Sequence, residues 1–164
     1  MKKDSSIFGT LLNAAVESAP QPIIKVPGYT IMPQLHLLIT VPFGFGKTSL
    51  LSNIKDIPNH HFLTDTSLPG LIGTLTKDGD LIPGSITNCG NGVLIIDEAQ
   101  RLSTKATEAL NSFLTHGWHS RSMGYPTEPN KRFGDLNKEG WQIDTVQNGF
   151  KVNARFTCIW RGER

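Results

Sequence analysis

Two cysteines in 164 residues, Cys89 and Cys158, are too few for a disulfide framework, and their scarcity points to a reducing compartment. Net charge is equally scarce. Sixteen basic and 14 acidic residues leave +2, which excludes a polybasic nucleic-acid tail and permits only a local basic surface. No apolar run approaches the ~20 residues of a membrane span. The stretch 7–16 after Lys2-Lys3 has the place of a signal peptide, but Asp4, Thr10 and Asn13 spoil it. Internal repeats and low-complexity tracts are absent too, which excludes solenoids and disordered tails. What remains is one domain's length with 38% hydrophobic and 18% charged residues, 16 glycines and 10 prolines. That is a loop-rich folded chain, expected in the cytoplasm, or in the nucleus of a eukaryote.

The chain divides into a lead-in, 1–34, and a core, 35–164. Residues 5–17 predict a short helix with Ile7, Leu11, Ala14 and Ala15 on one stripe and Leu12 beside it. Pro20, Pro22, Pro27 and Pro33 then enforce extended or turning backbone. The run LHLLIT at 35–40 is short enough for a buried strand. A helix follows at about 49 and stops at Pro58. Six glycines make 60–92 turn-rich. VLII at 93–96 is a second strand, and Ser103 is an N-cap for a helix to His116 whose Ala106, Leu110, Phe113 and Leu114 share a face. An insert at about 117–152 reads as short strands around a polar loop at 126–140, and 155–160 is a third strand.

The chemistry lies at the ends of two of these strands. VPFGFGKTS follows the first strand and opens a helix, the context of a phosphate-binding loop. Its glycines let backbone N–H groups converge on phosphate oxygens, and the helix N-terminus adds partial positive charge. The segment Pro42, Phe43, Gly44, Phe45, Gly46, Lys47, Thr48 and Ser49 would cradle the phosphates of a nucleotide. Lys47 would reach the β- and γ-phosphates and the Thr48 hydroxyl would bind Mg²⁺. Val41 stands where the full pattern has its first glycine. VLIIDE is an apolar strand delivering two carboxylates at the edge where open α/β sheets bind ligands. Asp97 suits the metal, and Glu98 suits the general base for the attacking water. Lys47 and Glu98 are therefore the candidate catalytic residues, with ATP and Mg²⁺ as the ligands they imply.

VPFGFGKTSL resembles the Walker A motif of AAA+ ATPases, and GVLIIDEAQRLS resembles their Walker B. Between them, Ser67-Leu68-Pro69-Gly70-Leu71 with Asp78-Gly79, Gly84 and Gly92 is similar to minichromosome maintenance (MCM) helicases and to magnesium chelatases. ALNSFLTHGWHSRSMGY resembles the second helix and inserted β-hairpin of that branch, and VNARFTCI resembles its sensor-1 strand. Ser6-Ile7-Phe8-Gly9 is similar to the segment that touches the adenine in MCM proteins. The resemblance implies a P-loop NTPase core of the AAA+ class, with a mostly parallel sheet and a β-hairpin arm. It also implies a ring of like or unlike subunits, and ATP turnover coupled to DNA unwinding or remodelling. Trp160-Arg161-Gly162-Glu163 stands where that family carries its polar sensor-1 residue. Nothing resembles an arginine finger or the helical lid, so the sequence is either a fragment or a reduced ATPase that depends on a partner for those parts.

The insert sets Arg121, Lys131, Arg132 and Lys151 among Trp118, Tyr125, Phe133, Trp141 and Phe150, a mixture that suits single-stranded nucleic acid. The same residues also suit an insert whose aromatics pack on the core while its charges stay in water. Two other functions remain open on the sequence: a chelatase-like or regulatory ATPase acting on protein, and a non-hydrolysing nucleotide-binding adaptor. His60-His61, and His116 and His119 with Cys89, match no zinc spacing.

Overall fold

The N-terminal periodicity becomes helix α1, Ile7–Ser18, in a computed structural model that describes residues 7–19, 21, 24–40, 60–64, 66–123, 141–146 and 148–162. Its buried stripe is Leu12, Ala15 and Ala19, with Val16 partly buried, while Leu11 stays 47% exposed. The stripe is one position on from the expected one. A row through Leu11, Ala14 and Ala15 ends on Ser18, whereas Leu12, Ala15, Val16 and Ala19 keep the i, i+3, i+4, i+7 pattern apolar throughout.

The proline-rich lead-in holds a hairpin that its composition concealed. Strands β1, Ile24–Val26, and β2, Tyr29–Ile31, pair antiparallel around Pro27-Gly28. Proline presets φ at the first corner, and Gly28 takes φ +90 at the second, where a side chain would be strained.

Four strands build the main sheet: β3, Leu37–Thr40; β4, His60–Leu63; β7, Val93–Ile96; and β11, Thr157–Gly162. All pair in parallel, in the order β3-β11-β7-β4. Every residue of β7 is buried, which explains its unbroken apolar run: a central parallel strand is covered on both faces. Val93 and Ile95 join Leu12, Ala19 and Ile159 under α1, whereas Leu94 and Ile96 join the larger core on the opposite face. Strand β3 is an edge. Leu38 is 60% exposed, so this strand is only half buried, contrary to the buried strand that its run of apolar residues predicts.

The larger core is built by elements between β4 and β11. Residues 60–92 carry more regular structure than their glycines suggest. Helix α2, Leu68–Ile72, is followed by the hairpin β5–β6, Gly73–Leu75 and Leu81–Pro83, then by helix α3, Ser85–Cys89. Gly84 is required there, because a Cβ would collide with the Gly73 nitrogen and the Leu71 and Ile72 carbonyl carbons. Helix α4, Thr104–His116, starts where Ser103 accepts a bond from the Ala106 N–H at 3.2 Å. It buries Ala106, Ala109, Leu110 and Phe113.

The insert departs from a simple hairpin. Strands β8, Trp118–Ser122, β9, Trp141–Val146, and β10, Gly149–Ala154, form a three-stranded antiparallel sheet with β10 in the middle. Phe150 and Val152 are fully buried and belong to the same core as Leu94 and Ile96. The described part of the insert is therefore docked on the domain. Its hydrophobic face is the reason, since two strands alone could not bury those side chains.

Candidate functional site

The candidate site lies along the C-terminal edge of the parallel sheet. Leu38, Trp160, Ile96 and Leu63 form one row across the four strands. The chain runs upward from that row through Ile39 and Thr40 toward the glycine-rich loop, and through Asp97 and Glu98 on β7. One strand, β11, separates β3 from β7, so their ends stand roughly 10 Å apart at the ~4.8 Å strand spacing. The loop itself (Val41, Pro42, Phe43, Gly44, Phe45, Gly46, Lys47, Thr48 and Ser49) lies outside the described residues, as do Ser6, Lys131 and Arg132.

The two acids are mounted on the most buried strand of the domain. The Asp97 N–H donates to the Leu63 carbonyl at 2.7 Å, extending the β4–β7 ladder by one residue and fixing the main chain at the acid. Its Oδ1 atom is buried, and the residue as a whole is half-buried. Glu98 turns sharply away, with φ 53 and ψ 50, a left-handed conformation rare for a residue with a β-carbon. A short 3₁₀ turn, Ala99–Arg101, follows. It folds Arg101 back, so that its N–H donates to the Glu98 carbonyl at 2.8 Å and its Nε lies 2.9 Å from Glu98 Oε2.

A second set of contacts holds the edge strand β3 in register, and none of it is visible in the motifs. Ser18 at the end of α1 is the hub. Its Oγ accepts from the Leu35 N–H at 2.7 Å, donates to the Ala15 carbonyl at 2.7 Å, and lies 3.1 Å from Thr157 Oγ1. Next to it, the Cys158 N–H donates to His36 Nδ1 at 3.0 Å. His36 must be neutral to accept that bond, and its burial lowers its pKa in the same sense. Together these bonds fix the start of the strand that leads toward the glycine-rich segment. Ser18 and His36 were missed because their partners lie far away in sequence.

The two described basic residues of the insert, Arg121 and Lys151, stand on opposite faces of its sheet. Arg121 is paired with Phe150 across β8 and β10, which puts it on the core-facing side, and its guanidinium donates to the Gly73 carbonyl. Its role there is to tie the insert to the β5–β6 hairpin. Lys151 sits on the other side, opposite Ser120 and Asp144. Its Nζ lies 4.5 Å from the centroid of Trp118, a cation–π contact on an indole 39% exposed.

Both cysteines are buried thiols. Burial pushes Cys89 up to about 12, and Cys158 is raised well above its ordinary value, so neither is a thiolate nucleophile at neutral pH. Among the described residues no group of three or more His, Cys, Asp or Glu side chains could hold a metal ion by itself. A nucleotide-bound Mg²⁺ needs no such cage; one carboxylate, a hydroxyl and phosphate oxygens suffice. Asp97 at this edge fits that requirement. Among the described residues no helix is long and apolar enough to cross a membrane. Comparison with protein-family models and with curated proteins found no match.

Proposed function

We propose that this chain is an ATP-binding and ATP-hydrolysing module of the AAA+ type, resembling MCM helicases, that couples turnover to DNA unwinding or remodelling within a ring of subunits. The observation that carries the reading is the common edge of β3 and β7: the strand entering GFGKT and the strand ending in Asp97-Glu98 point the same way, one strand apart. Phosphate-binding backbone and metal-binding acid must meet at one triphosphate, and the shared edge of β3 and β7 supports that reading.

Within that reading, Lys47 neutralises β- and γ-phosphate charge, and Thr48 and Asp97 hold Mg²⁺. That metal would supply further neutralisation of the phosphate charge. Glu98 accepts a proton from the attacking water. The insert sheet, with Trp118 and Lys151 on its exposed side, is the surface offered to DNA.

Calorimetry with ATP–Mg²⁺ tests the assignment. The parent chain binds, and Lys47→Ala loses most of the affinity while staying folded, because a charge-assisted phosphate contact is removed. Glu98→Gln still binds but turns over ~10²–10⁴-fold more slowly, the usual worth of a general base. The parent is slow alone, since an arginine finger is worth ~10³–10⁵ in rate, and a relative supplying one in trans accelerates the parent only. Equal ATP affinity for folded Lys47→Ala and parent would remove the phosphate-loop assignment.

A further inference from the structure

We infer that Arg101 is a positioning residue for Glu98, fixing the carboxylate that serves as the base; the inference rests on the nucleotide reading above and deepens it. Three observations meet at this residue. Glu98 has a left-handed backbone, which swings its side chain off the line of β7 immediately after the metal acid. The 3₁₀ turn that follows is closed by Arg101 N–H on the Glu98 carbonyl, so the same residue that fixes the turn also reaches the side chain. The ion pair joins Arg101 Nε to Glu98 Oε2 at 2.9 Å.

That geometry suits orientation. A glutamate side chain has three rotatable bonds and sweeps a wide arc when free. Holding one carboxylate oxygen on a planar guanidinium confines the arc and leaves Oε1 to accept from a water above the sheet edge. The contact is local to four residues, so it forms with the turn and needs no other subunit. Arg101 is itself 61% exposed against 34% for Glu98. A pair this wet adds little to stability. Its worth lies in where it holds the carboxylate, one residue past Asp97 at the sheet edge.

The test measures ATP–Mg²⁺ affinity, kcat and KM for the parent, Arg101→Ala, Arg101→Lys, Glu98→Gln and the double variant Arg101→Ala/Glu98→Gln, together with their melting temperatures. Arg101→Ala should lower kcat roughly 10-fold, since misplacing a reacting group by about an ångström costs up to ~10², with affinity unchanged. Arg101→Lys should recover part of that loss. In the Glu98→Gln background, removing Arg101 should lower kcat no further, and the two melting-temperature losses should not add. Parental kcat in Arg101→Ala, or an equal loss in the Gln background, overturns the inference while leaving nucleotide binding intact. A parent that binds ATP but never turns it over does the same. A parent that binds no ATP overturns the nucleotide reading itself, and the melting temperatures still report whether the pair exists.

Discussion

Replacing Glu98 by glycine should separate stability from activity at the candidate site. The residue holds φ 53 and ψ 50, a conformation that costs an L-amino acid roughly 1–2 kcal/mol. Glycine escapes that cost but loses about 0.5–1 kcal/mol through the greater freedom of its unfolded chain. The lost ion pair with Arg101 removes little, because the two side chains are 61% and 34% exposed; about 0.3 kcal/mol is a fair value for such a pair. Glu98→Gly should therefore be neutral or more stable than the parent by about 0.5 kcal/mol. Glu98→Ala keeps the strained backbone and loses the same pair, so it should be slightly less stable. The two variants should differ by about 1 kcal/mol, or about 2–4 °C in Tm for a domain of this size. Urea titration at constant m-value measures the difference. On the proposed reading both variants should lose turnover, because neither keeps the carboxylate that would take the proton from water. Equal midpoints for Gly and Ala would show that the strain is no larger than glycine's entropic cost of about 0.5–1 kcal/mol. Parental turnover in either variant would show that Glu98 is only a strand-end carboxylate.

In the insert, changing Lys131, Arg132 and Lys151 together to Ala should weaken binding to single-stranded DNA and flatten its dependence on salt, with each lost phosphate contact lowering the slope by ~0.7. An unchanged slope would leave the insert as a structural or protein-contacting element. Trp118→Ala should lose ~1–3 kcal/mol of that binding if bases stack on the indole; an equal affinity would exclude stacking there. The pH dependence of stability follows from His36, whose burial lowers its pKa. The unfolded chain takes up the proton first, so the stabilisation is complete above the unfolded value near 6.5 and is lost as pH falls through the folded value. His61 and His119, also lowered chiefly by burial, act in the same direction. His36→Asn keeps an acceptor for the Cys158 N–H without titrating, so its urea midpoint should fall less steeply with acid than the parent's. An identical pH profile would remove His36 from the account.

The local elements could be read from the sequence because their causes are local. Four consecutive Val, Leu and Ile residues made β7 an apolar strand, and the Ser103 hydroxyl marked the start of α4. The same holds for the order of motifs, an apolar strand before GFGKT and another before Asp97-Glu98. Helix α1 was found but its buried stripe was placed one residue early, since two neighbouring stripes are almost equally apolar and only the sheet beneath chooses between them.

What the tertiary structure alone decided are the relations between distant residues. Insertion of β11 between β3 and β7 rests on pairing between segments 122 and 64 residues apart, Leu37 with Ile159 and Val93 with Thr157, which no window of sequence reports. The side of the insert on which each cation stands is another such relation. Arg121 and Lys151 look alike in the sequence, yet the register of β8 on β10 sends one to Gly73 and leaves the other over Trp118. The Ser18–His36 tether joins α1, β3 and β11 through single hydrogen bonds that carry no pattern. Propensity and periodicity record what a residue prefers along its own chain; which strand lies beside it is settled by how the two apolar faces of the sheet are covered together.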